Sequence, residues 1–327
     1  MLRIINGEAV RSLYSIEDAI PAMEQAMVSF SDGSAYQHPR ITVEPPGADG
    51  ERGMVLLMPA AASGSLGLKL LSMFPRAAEK GLASVQGLIV LVDAVHGEPL
   101  AVLDGVSVTE IRTAAVTALA TDRLARPDAA NLGIIGAGVQ ARGHLRGLAG
   151  LRPWKSIRLF SRTRDRAEDL VRWAAEEGVD GIEIASSPTE ALRDADVVCT
   201  VTSACSPVLA DSDVAAEGVH VNAIGAFGPR CRELPPELVA RARIFVDSRQ
   251  SALTEAGDLM LPLADGVITE DAIVAELGEL LAGAPGRVGD ELTVFESLGL
   301  PIQDTLACDA IYRRAVEAGA GVEISFP

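Results

Sequence analysis

The spacing of apolar and polar positions changes character near residue 130. Before that point the chain reads as one helix, Ser15 to Phe30, and then strand-like stretches around Arg40 to Val43, Gly53 to Met58, Leu66 to Ser72 and Leu88 to Asp93. After it comes a regular alternation. Apolar runs of strand length (Asn131–Gly136, Ser156–Ser161, Gly181–Ala185, Asp196–Thr202, Val219–Gly225 and Arg243–Asp247) are interleaved with helical stretches such as Val139–Ala149 and Arg164–Glu177. That alternation specifies a mostly parallel sheet with helices on both faces, a doubly wound α/β fold of Rossmann type. The tail is again helical: Pro301 suits a first helical position, Ile302 to Ala318 is amphipathic, and Gly319 ends it. It is expected to pack back on the N-terminal part. The predicted domains are residues 1–118 with 303–327, a discontinuous α+β unit, and 119–302, the parallel sheet.

Composition narrows this picture. Hydrophobic residues make up 48% and aromatic residues only 4%, so the core is aliphatic, as suits strands buried on both faces. The formal charge of -17 opposes nucleic acid or an anionic membrane as the main partner. With no long apolar run and no leader-like N-terminus, a cytoplasmic location is expected. Cys199, Cys205, Cys231 and Cys308 form no CxxC pair and are expected to be buried thiols, and His38, His96, His144 and His220 show no ligand spacing. No metal is expected.

The strand Leu132–Ile135 runs into Gly136-Ala137-Gly138-Val139-Gln140-Ala141, and a helix follows at once. In this context the first glycine makes a tight turn and the second admits a pyrophosphate to the backbone. The small third residue allows close packing, and free N–H groups at the helix start hold the anion. An NAD-binding chain usually carries an acidic residue about 20 positions on. Here that place reads Ser161-Arg162-Thr163-Arg164, with four arginines against one Asp from Arg158 to Arg166. Guanidinium and hydroxyl groups bind a 2′-phosphate that a carboxylate would repel, so NADPH is the expected cofactor, with NADH as the alternative. Ser161, Arg162, Thr163 and Arg166 are its predicted contacts, and Thr200, Val201, Thr202 and Ile224 occupy later strand ends suited to the nicotinamide half.

Few cations are well placed in the N-terminal part. Arg40 follows His38-Pro39, Lys69 alternates with apolar neighbours, and Arg112 lies in a helix that opens as a capping box, Ser107 at the N-cap and Glu110 three residues on. Elementary chemistry alone does not join them.

A set of segments spanning nearly the whole chain resembles the ornithine cyclodeaminase/mu-crystallin family. These are His38-Pro39-Arg40, Met58-Pro59-Ala60, Gly67-Leu68-Lys69, Pro99-Leu100-Ala101, Thr109–Ala115, Gly136–Ala141, Val221–Ala226, Glu255–Leu259 and Val294–Gly299. The resemblance implies that Arg40, Lys69 and Arg112 converge on a substrate α-carboxylate, with Lys69 and Arg112 catalytic and Thr113 beside the cofactor. It also implies a homodimer formed through the N-terminal domain.

Members share imine/amine redox chemistry next to a carboxylate. Cyclodeaminases of the family carry an Asp two residues after the glycine of the Ala223-Ile224-Gly225 segment, and here that residue is Phe227. Phenylalanine can neither accept a proton nor pair with a diamine's ammonium, whereas its ring suits the methylene edge of a cyclic imine. Gly225-Ala226-Phe227 with Glu255–Leu259 is more similar to the Δ1-pyrroline-2-carboxylate/Δ1-piperideine-2-carboxylate reductase branch. The implied activity is NADPH-dependent reduction of these imino acids to L-proline and L-pipecolate, with Phe227 in the substrate pocket. The proton on the imine nitrogen comes from Lys69 or a bound water, or the substrate arrives already protonated. Alternatives are an ornithine cyclodeaminase, an alanine- or opine-type dehydrogenase, or a non-catalytic crystallin-like binding protein.

Overall fold

A computed structural model describes residues 1–45 and 53–325. It divides the chain into two compact units, residues 1–112 with 300–327 and residues 113–299. The first division falls between Arg112 and Thr113, and both this position and the expected 118/119 lie within one unbroken helix, Gly105–Leu124. The second falls between Gly299 and Leu300, rather than at 302/303, just ahead of the C-terminal helix Pro301–Ala318.

In the first unit the strands are β1 (Leu2–Ile5), β2 (Tyr36–Gln37), β3 (Ile41–Val43), β4 (Met54–Ala62), β5 (Ser65–Met73), β6 (Val85–Asp93) and β7 (Pro99–Asp104). With the C-terminal strand Val322–Ile324 they form one sheet. Its order is C-terminal strand, β1, β7, β6, β5, β4, β2, with β3 also pairing to β4. Strand alternation sends successive side chains to opposite faces. The row Met58, Lys69, Ile89 and Leu103 lies on the buried face. Helices Ile16–Ser31 and Pro301–Ala318 belong to the same unit and pack on each other, and the second also packs on β4 and β5. Gly67 permits that close approach: a Cβ there would stand 2.3 Å from Thr305 Oγ1. The opposite face carries the rows Ile41, Leu57, Leu70, Leu88 and Ala61, Leu66, Val92. Within it Ile41, Leu66 and Leu88 are exposed.

Helix Gly105–Leu124 begins two residues ahead of the expected Ser107 cap. The Asp104 carboxylate accepts hydrogen bonds from Ser107 N and Oγ and so does the capping, while Glu110 pairs instead with Arg11. The carboxylate at the end of β7 reaches the orphan N–H groups first.

The second unit holds an entirely parallel sheet of β8 (Asn131–Ile135), β9 (Ser156–Phe160), β10 (Ile182–Ile184), β11 (Val197–Thr200), β12 (His220–Ala223), β13 (Arg243–Val246), β14 (Ile273–Glu276) and β15 (Thr293–Glu296). Their order is β10-β9-β8-β11-β12-β15-β13-β14. Its two faces bury separate aliphatic clusters, one containing Leu132, Ile134 and Cys199 and the other Ile135, Val198 and Val221. Strand order reverses beside β8, and the crevice above such a reversal is where ligands bind in open α/β sheets. No described helix is long and apolar enough to cross a membrane.

Candidate active site

At the carboxyl end of β8 the backbone turns through Gly136, whose φ is 125°, a region open to glycine. A Cβ at Gly136 would also stand 2.7 Å from the Val201 carbonyl oxygen. Gly138, the N-cap of helix Val139–Ala149, is different: a Cβ there would meet nothing within 4 Å. Its backbone therefore faces open space, and this space is part of a cavity of about 440 Å³. Gly136, Gly138, Ser161, Arg162, Thr163 and Arg166 line one stretch of the cavity, and Val201 and Thr202 another. The four arginines sort themselves. Arg158 is spent on Glu183 and the Arg193 carbonyl, and Arg164 on Glu168, whereas Arg162 and Arg166 face the cavity.

The other predicted cofactor residues are not among those that line this cavity. Val139 and Gln140 open the helix, and Gln140 Oε1 is buried with no partner among the described residues. Thr200 is fully buried at the end of β11, and Ile224 is half-buried just beyond β12. Thr113 is buried within helix Gly105–Leu124, and Phe227, in the loop after β12, is 37% exposed.

Within the first unit the structure brings two of the three predicted cations onto one carboxylate, and the third, Arg40, is near enough for its charge to act on Lys69. Lys69 and Arg112, 3% and 4% exposed, share Asp304 of the C-terminal helix. Lys69 Nζ lies 3.2 Å from both Asp304 oxygens and 2.7 Å from Thr109 Oγ1. Arg112 Nε donates to Asp304 Oδ1 at 3.0 Å, and its Nη1 donates to Gln303 Oε1 at 2.7 Å. Burial pushes the Lys69 ammonium down to about 8. Asp304 opposes that fall, while the charges of Arg112 and Arg40 add to it. Burial alone would raise Asp304, but Arg112 and Lys69 outweigh it and hold the carboxyl below its ordinary range. Two buried cations against one carboxylate leave an excess of positive charge at this cluster.

Asp304 and Gln303 escaped the sequence reading. Their signal was a run of polar residues, Gln303-Asp304-Thr305, between Ile302 and Leu306 on a helix face that proves to be buried. Also missed was a group of buried carboxylates near the strand ends, Glu233, Asp258 and Glu296. Burial, followed by the charges of Asp258, Glu233 and Asp247, raises the Glu296 carboxyl far above its usual range.

The expectation of four buried thiols is overturned. Cys205 and Cys231 form a disulfide, and only Cys199 and Cys308 are buried thiols. Parallel pairing of β11 with β12 brings their following loops side by side, so residues 26 apart in sequence meet without any local motif.

A Rossmann sheet, a glycine turn opening on a cavity and a buried cluster of Lys69, Arg112 and Asp304 are features of an oxidoreductase. The ornithine cyclodeaminase/mu-crystallin family model matches residues 3–319. A Δ1-pyrroline-2-carboxylate reductase of Bacillus cereus is 36% identical, with 99% of each chain covered. The Thermococcus litoralis Δ1-pyrroline-2-carboxylate reductase, solved with NADH and L-proline, superposes with a TM-score of 0.92 at 32% identity, covering 98% of this chain and 100% of that one. An archaeal alanine dehydrogenase dimer with bound NAD gives a TM-score of 0.92 at 31% identity, with 99% of each chain covered. The chain belongs to the ornithine cyclodeaminase/mu-crystallin family.

Proposed function

We propose that this protein reduces the cyclic imino acids Δ1-pyrroline-2-carboxylate and Δ1-piperideine-2-carboxylate to L-proline and L-pipecolate, using NADPH. The observation that carries this reading is the buried Lys69/Arg112 pair on Asp304, with the charge of Arg40 acting on Lys69, an excess of positive charge suited to one carboxylate. The relatives named for pyrroline carboxylate reduction support the choice of substrate. A dinucleotide suits the open backbone of Gly138, and Arg162 and Arg166 favour a 2′-phosphate.

When bound, the reduced nicotinamide supplies a hydride to C2 of the imine. Arg112 and Arg40 orient the carboxylate, which fixes the face that C2 presents. Lys69 delivers the proton to the imine nitrogen, so that the C=N bond becomes CH–NH. Its value of about 8 is close to neutral pH, where a general acid works best. Phe227, replacing a carboxylate with an apolar ring, suits the methylene edge of the imine. In a homodimer, the exposed apolar sheet face with Ile41, Leu66 and Leu88 would be covered by a second copy.

Steady-state rates for both imines with NADPH and with NADH test the reading. Turnover with a higher kcat/KM for NADPH is expected. Arg162→Ala should lower the NADPH value by about 10- to 100-fold and leave NADH nearly unchanged. Ammonia release from ornithine without net cofactor consumption would overturn the proposal, and so would full activity in Lys69→Met.

A further inference from the structure

The Glu233 carboxylate is fully buried and accepts four hydrogen bonds from the ends of two neighbouring strands and the loops that follow them. Oε1 takes Thr202 N at 2.7 Å and Thr202 Oγ1 at 2.6 Å. Oε2 takes Gly225 N at 2.7 Å and Thr200 Oγ1 at 2.9 Å. These donors stand at or just beyond the ends of β11 and β12, and Thr202 lines the cavity. The approach is tight enough to require glycine, since a Cβ on Gly225 would lie 2.0 Å from the Thr202 carbonyl oxygen. Glu233 is itself held from behind, where Asp258 accepts the backbone N–H groups of Glu233 (2.9 Å) and Leu234 (2.7 Å).

We infer that Glu233 is a positioning residue that fixes the nicotinamide side of the cavity, and that Asp258 locks it in place. The inference rests on the dinucleotide reading above. In the sheet order β9-β8-β11-β12, the arginine-lined end beyond β9 and the Thr202–Gly225 wall beyond β11 and β12 lie on opposite sides of the glycine turn. A dinucleotide whose pyrophosphate sits over that turn places its adenosine half on the first side and its nicotinamide half on the second. Glu233 touches only the second side. An ionised carboxylate is suited to this role because it is acceptor-only and can take two donors on each oxygen. A glutamine presents an NH2 group to one pair of donors, and the wall loosens there.

The experiment compares binding of whole cofactor and half cofactor in the full-length protein. Fluorescence titration gives Kd for NADPH and NADH, and competition gives Kd for 2′,5′-ADP and ADP. In Glu233→Gln the Kd of the whole dinucleotides should rise about tenfold, with kcat falling as well, while the half-cofactor Kd stays within about twofold. Thr200→Val removes one of the four donors from outside the cavity lining and should give a smaller change in the same direction. It decides the matter if Glu233→Gln does not fold. An equal loss for whole and half cofactors, or no loss for either, overturns the role of Glu233 while leaving the dinucleotide reading intact. A wild-type protein that binds neither NADPH nor NADH overturns both.

Discussion

Replacing Asp304 by Asn takes one negative charge from a pocket where Lys69 and Arg112 are almost wholly buried. Shape is nearly kept, and Arg112 keeps its Gln303 partner. Two consequences can be sized. Removing one partner from a buried ion pair costs about 3–5 kcal/mol when the remaining charge cannot leave. Lys69 can leave its charge behind by shedding a proton. Starting from a value of about 8, that step at pH 7 costs on the order of 1.4 kcal/mol before Asp304 is removed, and less afterwards. The loss of stability should therefore fall to about 2–4 kcal/mol. The second consequence is chemical. An opposite charge 3.2 Å away supports the protonated form, and its loss should shift Lys69 downwards by about 1–3 pH units. If Lys69 is the acid, kcat falls as pH rises through its titration. The descending limb should therefore move from near 8 in the wild type to a lower pH in Asp304→Asn. Thermal unfolding and a pH–rate profile with a cyclic imine measure the two effects. A limb that stays near 8 in the variant would refute both the coupling and the assignment of Lys69.

The two glycines of the turn should separate. Gly138→Ala should fold with an unchanged Tm yet raise the cofactor Kd at least tenfold, because its methyl group meets only the open space. Gly136→Ala should lower Tm as well, since its φ and the Val201 carbonyl both oppose a side chain. Equal behaviour of the two variants in both assays would contradict this. Burial raises the Asp258 carboxyl to about 7 against an ordinary 3.8. An acid raised in the folded state keeps a proton that the unfolded chain has lost, so stability falls as pH rises from about 4 to about 7. Relative to wild type, Asp258→Asn should gain stability across that window, and a Tm difference independent of pH would exclude the effect. Finally, alkylation of the denatured, unreduced chain should label two of the four cysteines, Cys199 and Cys308, and all four after reduction. Four labels without reductant would refute the disulfide.

Features written in neighbouring residues were legible from the sequence. The glycine turn after β8 is a local steric statement, as are the helix from Val139 and the strand–helix alternation, because period and turn chemistry act over a few residues. The family resemblance added Arg40, Lys69 and Arg112, which spacing could not connect. The register of pairing was not legible. Strand β15, which stands between β12 and β13 in the sheet, comes after both in the chain, and the loops that bring Cys205 to Cys231 are neighbours because β11 pairs with β12. Asp304 lies 235 residues from Lys69, and nothing in either neighbourhood names the other. Such partners are selected because a buried charge must be compensated wherever the fold places it. The sequence by itself determined that a nucleotide turn exists. The tertiary structure decided which arginines face the cavity, which carboxylate holds the cations, and that Glu233 ties the ends of β11 and β12 together.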